Sequence, residues 1–250
     1  MNVQRNRVCR WSRGRIRRLR TNLGVLALTV AALLPGLALA EQDRWEGFNR
    51  GVFDFNDALD RGVLKPTAKA YDRTLPGFLK QGIHNVFRNL ATPATMVNQL
   101  LQGKPLRALG DTGRLLVNTT VGVGGLFDVA SSAGLPEHEE DFGQTLRVWG
   151  VPDGPFLMVP FRGPATVTHA GGMLVDALLN PVRLLSPARD RYIINGLSVI
   201  DSRVALLQTE ALVSGDRYLF LRDAYLQRRE FLINDGVIDE DPFFDDEEYE

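Results

Sequence analysis

Residues 142–164 read FGQTLRVWGVPDGPFLMVPFRGP, and the fold turns on how they are interpreted. A short helical piece, Phe142 to Trp149, runs into Gly150, Pro152, Gly154 and Pro155. The apolar run Phe156–Phe161 follows, and Gly163-Pro164 breaks the chain again. Proline fixes φ and removes a donor while glycine opens φ > 0, so their alternation predicts a turn of defined but unusual geometry. The run FLMVPF shows neither helical nor strand periodicity, and Pro160 bars it from an ordinary central strand. A backbone this irregular and this apolar has to be buried in protein or set at the edge of a lipid phase.

On either side the pattern is helical. Trp45, Phe48, Val52, Phe55 and Leu59 recur at spacings of three and four, with Arg50, Asp54, Asp57 and Asp60 between them. This predicts an amphipathic helix with an aromatic stripe, suited to a core or to a bilayer interface. Lys65-Pro66 is expected to close it, and Leu75-Pro76-Gly77 to mark a turn. Phe78–Leu90 reads as a second helix. Thr92-Pro93 then reads as the N-cap and first residue of a third, which Gly103 ends.

Leu115–Phe127 and Gly163–Val175 are charge-free stretches of thirteen residues. As helices they would be about 20 Å long, against about 30 Å for a hydrocarbon core, so they suit a buried helix or a single leaflet. The glycines at 122, 124, 125, 171 and 172 allow close backbone approach. Helices are also predicted after Ser186-Pro187 and after the cap Ser214-Gly215-Asp216.

The ends differ in character. Residues 1–40 hold eight arginines and no acid, then an apolar stretch from Leu23 to Leu34 and the small-x-small site Ala38-Leu39-Ala40 before Glu41. This reads as an export signal cleaved after Ala40. Removing eight of the 29 basic residues and none of the 30 acidic ones leaves a formal charge of −9, which argues against a nucleic-acid partner. Cys9, the only cysteine, leaves with that segment. Eight of the twelve residues from Asp239 to Glu250 are acidic, a composition expected of a solvated tail. The organisation expected is therefore a signal over 1–40, one nearly all-α unit over 41–238, and an acidic tail over 239–250.

Residues capable of chemistry are sparse. His138, in Pro136-Glu137-His138-Glu139-Glu140, has neighbours that do not converge as i, i+4 ligands do, so it reads as a charged loop. His84 reads as an exposed or satisfied side chain, and His169, in an apolar segment, as a structural residue. HExxH, GxSxG and GxxxxGK[ST] are absent, which disfavours catalysis, and no metal or cofactor is expected.

Ordered motifs then identify a likeness. Glu46-Gly47-Phe48-Asn49-Arg50, Met96-Val97-Asn98 with Gly103, and Asn118-Thr119-Thr120-Val121-Gly122-Val123-Gly124-Gly125 with Asp128 come first. Phe142-Gly143-Gln144-Thr145-Leu146 and Arg222-Asp223-Ala224-Tyr225 with Arg228 follow. In this order they resemble the MlaA (VacJ) family of outer-membrane phospholipid-transport proteins. The resemblance implies a helical ring with an amphipathic central channel, embedded in the periplasm-facing leaflet. It implies removal of phospholipids misplaced in the outer leaflet, a trimeric porin as neighbour, and delivery to a soluble periplasmic carrier (MlaC).

Members commonly carry a lipobox cysteine, and the expected cleavage site here lacks one. That departure favours the alternative of a soluble periplasmic adaptor bound peripherally to the outer membrane. For the channel reading, Gly150 and Gly154, with Pro155 and Pro160, are expected to flank a gating loop, because backbone torsions change there at least cost.

Overall fold

The computed structural model describes residues 45–207, 209–212 and 215–237; the expected signal, its cleavage residues Ala38, Ala40 and Glu41, and the acidic tail lie outside them. Helix α1 (Glu46–Leu59) passes through a π-helical turn (Asp60–Leu64) into α2 (Lys65–Thr74). Then come α3 (Gly77–Leu101), α4 (Pro105–Thr120), a short α5 (Val129–Ser132) and α6 (Phe142–Val148). Strands β1 (Phe156–Val159) and β2 (Gly163–Thr166) form an antiparallel hairpin, Phe156 opposite Thr166 and Val159 opposite Gly163. Helix α7 (Val167–Leu179), a 3₁₀ turn (Pro181–Leu184), α8 (Ala188–Leu206), a second 3₁₀ turn (Thr209–Leu212) and α9 (Arg217–Ile233) complete the order.

Three expectations are corrected. Lys65-Pro66 does not end α1: the Lys65 amide donates to Asp60 O, five residues back, and a π turn at that point carries the axis past the proline with helical torsions throughout. Thr92-Pro93 does not start a helix, because α3 runs unbroken through Pro93. Proline deletes one backbone donor there, but α3 packs along α4, α6, α7 and α8 on both sides of it, and tertiary contact overrides the local break. Neither charge-free segment is helical throughout. Helix α4 stops at Thr120, and residues 163–166 are strand before α7 begins under the cap of Thr166, whose Oγ1 accepts from the His169 amide.

The FLMVPF run contributes a strand after all, with Pro160 in the turn where a missing donor costs no ladder bond. Its alternating burial could not be read from residues that are apolar on both faces. The outer edge of β1 is closed by α1. Asn49 Nδ2 donates to Phe156 O (3.1 Å) while its Oδ1 accepts from the Met158 amide (2.8 Å). Asn56 repeats the pattern with Val159 O (3.0 Å) and the Phe161 amide (2.8 Å). Seven helical residues advance about 10.5 Å and three strand residues about 10 Å, so the two amides keep step with β1. Helix α1 thereby stands in for a third strand.

Contacts between elements run in a closed circuit: α1, the π turn, α2, α8, α3, α6 and α7, the hairpin, and back to α1. Helix α9 packs on β2 and α6. The apolar core is small, with Phe156, Met158 and Tyr218 at its centre. Met158 and Tyr218 apart, the largest fully buried side chains are polar: Gln99, Gln144, Asn49, Asn98, Thr145, Thr166 and Asp111. Large apolar side chains face outward instead, with exposures of 74% for Phe78, 83% for Leu106 and 86% for Leu184. The unit is therefore inverted relative to an ordinary soluble domain. No helix among the described residues is long and apolar enough to cross a membrane.

Candidate functional site

Between α3, α7 and α8 lies a cavity of about 810 Å³, within the size range of small-molecule sites. Three helices supply its walls through their natural repeats. Helix α3 offers Ala91, Ala94 and Thr95; α7 offers His169, Met173, Asp176 and Ala177; α8 offers Arg191, Tyr192, Asn195, Ser198 and Val199. The segment before α6 adds Glu140 and Asp141, the hairpin turn adds Arg162, and the 3₁₀ turn adds Val182 and Arg183. Alanine, valine and methionine thus share one space with carboxylates and guanidinium groups.

The acidic side is locked. Asp141 caps α6, its Oδ1 accepting from the Gln144 amide at 2.9 Å, and takes the buried Arg229 guanidinium on both oxygens. Burial works against its ionisation, but the Arg229 bonds outweigh it and hold the carboxyl below the usual range. Asp176 accepts from the Phe142 amide (3.0 Å) and from Asn98 Nδ2 (2.8 Å). Its burial pushes the carboxyl upward in spite of them. Asn98 passes the connection to Thr145, whose Oγ1 donates to Asn98 Oδ1 at 2.9 Å. Glu140 accepts from Gln102 Nε2 (2.9 Å) and Lys104 Nζ (3.0 Å). His169 stacks on Tyr225, with Nδ1 2.8 Å from its hydroxyl, and burial lowers the imidazole's proton affinity.

This wiring requires α6 and α7 to touch. A Cβ on Gly172 would stand 2.5 Å from Gly143 N, and one on Gly143 would stand 2.9 Å from His169 Cα, so neither position admits a side chain. Close approach was expected at Gly171-Gly172, and Gly172 alone makes it; Gly171 faces open space.

The remaining motif residues have other places. Arg50 pairs with Glu46 (2.7 Å) and Asp216 (2.9 Å) and lies over the Tyr218 ring, Phe48 faces outward, and Gly47 has open space around it. Gly103, at φ 77°, ends α3. Thr119 Oγ1 accepts from Asn89 Nδ2 at 3.0 Å. Gly122, Gly124 and Gly125 form the turns after α4. Asn118 joins Asp128 and the Ala130 amide, and Asp128 caps α5. Burial opposes the Asp128 charge, yet hydrogen bonds from Ser131 and Asn118, with Arg114 nearby, bring its pKa down to about 2. Arg222 pairs with Asp223, Arg228 with Glu139, Tyr225 OH accepts from the Thr166 amide, and Ala224 is exposed.

Gly150, Gly154, Pro155 and Pro160 are not among the cavity-lining residues. Their loop is fastened to the start of α7: the Thr168 amide donates to Asp153 O (3.1 Å), Thr168 Oγ1 to Pro152 O (2.7 Å) and the Val167 amide to Pro155 O (3.2 Å). His84 and His138 are held by Asp201 (2.8 Å) and Asp111 (2.9 Å). The sequence reading missed Asn56, Arg162, Asp176 and Arg229. Asn56 stands seven residues after Asn49, a spacing that could have flagged it.

Known proteins place this geometry. An MlaA protein of Escherichia coli strain K12, described as an intermembrane phospholipid transport system lipoprotein, is 34% identical over 88% of this chain and 92% of its own. Its counterpart in Haemophilus influenzae is 31% identical over 78% and 81%. A solved structure described as "Structural basis for maintenance of bacterial outer membrane lipid asymmetry" superposes with a TM-score of 0.67 at 38% identity, covering 78% of this chain and all of that one. The family description MlaA lipoprotein matches residues 41–232, and the chain belongs to that family.

Proposed function

We propose that this protein moves phospholipids out of the outer leaflet of a Gram-negative outer membrane through the cavity between α3, α7 and α8, and so maintains lipid asymmetry. One observation carries the reading: an amphipathic cavity between α3, α7 and α8 in a unit whose largest buried side chains are mainly polar and whose exterior carries many large apolar side chains. An exterior rich in Phe78, Leu106, Phe161, Leu174 and Leu184 suits a hydrocarbon surround, and the polar lumen suits a headgroup. The family resemblance implies a position in the periplasm-facing leaflet, and none of the described helices is long and apolar enough to cross a membrane.

Transport is passive and no bond is made or broken by this chain. The family resemblance supplies a trimeric porin as neighbour and a soluble periplasmic carrier as recipient. Aromatic and apolar side chains such as Phe48 and Phe55, which face outward, contribute to retention at the membrane. Gly150 and Gly154, at φ 89° and 69°, are the hinges of a gate that acts through the first turn of α7 and the His169 it carries.

Ala94→Trp with Ala177→Trp places two indoles in the lumen. In a Gram-negative host lacking its own homologue, this variant is expected to leave phospholipid in the outer leaflet while accumulating as wild type does. Normal asymmetry at normal abundance overturns the proposal.

A further inference from the structure

Eleven of the sixteen arginines among the described residues have a carboxylate partner. Arg50, Arg61, Arg88, Arg107, Arg114, Arg147, Arg203, Arg217, Arg222, Arg228 and Arg229 all form ion pairs. The exceptions are Arg73, Arg162, Arg183, Arg189 and Arg191, and three of these, Arg162, Arg183 and Arg191, line the same cavity. They come from three separate elements: the hairpin turn, the 3₁₀ turn and the first helical turn of α8.

The acids that share the space do not neutralise them. Glu140 is held by Lys104 and Gln102, Asp141 by Arg229, and Asp176 by Asn98 and the Phe142 amide. Asp176 has only neutral donors and keeps its charge, so one carboxylate stands against three unpaired guanidinium groups and the excess facing the lumen is cationic. Arg191 Nη1 reaches only a backbone acceptor, Arg183 O, at 3.4 Å.

The hairpin turn is built to deliver Arg162. Phe161 holds φ at 63°, a left-handed torsion that a non-glycine residue adopts at a cost, and its amide is fixed by Asn56. Its ring packs edge-on against Phe55 while Arg162, the next residue, lines the lumen and lies close enough to His169 for its charge to oppose protonation there.

Guanidinium groups bind phosphate oxygens through paired N–H donors. We propose that Arg162, Arg183 and Arg191 form the phosphodiester-recognition site of the lumen, and that the ligand they select is a lipid whose headgroup is net anionic. A phosphodiester carrying a neutral polyol offsets part of the cationic excess. One carrying an ammonium brings a second cation to a lumen whose carboxylates are already engaged. This inference rests on the passage of lipid through the cavity proposed above.

The test uses the full chain purified in detergent, titrated with a fluorescent phosphatidylglycerol and with the matching phosphatidylethanolamine. Wild type is expected to bind the anionic lipid at least about tenfold more tightly, and R162Q/R183Q/R191Q to lose about tenfold or more for that lipid and little for the other. R162K/R183K/R191K is expected to recover part of the preference, whereas R73Q/R189Q, which removes the unpaired arginines outside the lumen, is expected to bind as wild type does. None of the three lumen arginines has an ion-pair partner among the described residues, so the glutamine variants leave no orphaned charge and are expected to keep the wild-type circular dichroism spectrum.

Equal binding of both lipids by wild type, or an unchanged preference in the triple glutamine variant, overturns the arginine site. If A94W/A177W abolishes binding at the same time, lipid passage survives that failure; if it too binds normally, both readings fall. Displacement of the lipid by millimolar inorganic phosphate also overturns the proposal, since it shows a general anion site.

Discussion

Two of the places where arginines and carboxylates gather among the described residues are opposites. At the loop after α4, Arg114 donates to Asp128 (3.2 Å), to Ser131 Oγ (3.1 Å) and to Leu135 O, and Arg88 pairs with Glu137. The space left among them is about 10 Å³, room for a single water at most. Between α3, α7 and α8 the volume is about 810 Å³, and Arg162, Arg183 and Arg191 have no carboxylate partner among the described residues. The closed node holds the motif richest in recognisable residues, Asn118 to Asp128, and is architectural. The open one draws on residues that no motif marks. Memorable sequence and working surface are separate things here.

The largest effect is expected where the two kinds of site meet, at Arg229. Arg229→Met leaves Asp141 on the cavity wall without its buried cation, and removing one partner of such a pair costs about 3–5 kcal/mol. Urea unfolding in detergent should show the midpoint falling accordingly; a shift within error would mean that Asp141 is stabilised by its capping role alone.

The next test sets the closed node directly against the open one. Arg114→Gln removes charge-assisted bonds in a buried setting and should lose about 1–3 kcal/mol. Arg191→Gln should stay within about 0.5 kcal/mol of wild type, as surface changes do. Equal losses would erase the distinction drawn between the two regions.

The smallest effect concerns charge at the closed node. Asp128→Asn keeps a capping side chain and deletes only the carboxylate. The folded pKa is about 2 against roughly 3.9 unfolded, so the carboxylate's contribution is complete above about pH 4 and disappears as pH falls toward 2. The group is partly exposed, which limits the difference to about 1–2 kcal/mol. Thermal melts of both proteins from pH 7 to pH 2 should converge at the acid end; a constant gap would assign the effect to geometry rather than charge.

Local signals were legible and distant ones were not. The stripe Trp45–Leu59, the break at Leu75-Pro76-Gly77 and the Asp216 cap, which accepts from the amides of Tyr218 and Leu219, depend on neighbours a few residues away. The helix through Pro93 and the π turn before Pro66 depend on packing against α4 and α8, which no local pattern announces. Arg228 and Arg229 look interchangeable in a string, yet one residue of helix separates them by about 100°; the first meets exposed Glu139 and the second is buried against Asp141. Arg162, Arg183 and Arg191 span thirty positions of chain and come together only when the circuit closes.

The matched steps of Asn49 and Asn56 along β1 make α1 a ruler. One residue added or lost between those two graduations swings the second amide about a hundred degrees off its mark. The number of residues in that interval is thus as much a part of the fold's specification as the identity of either asparagine.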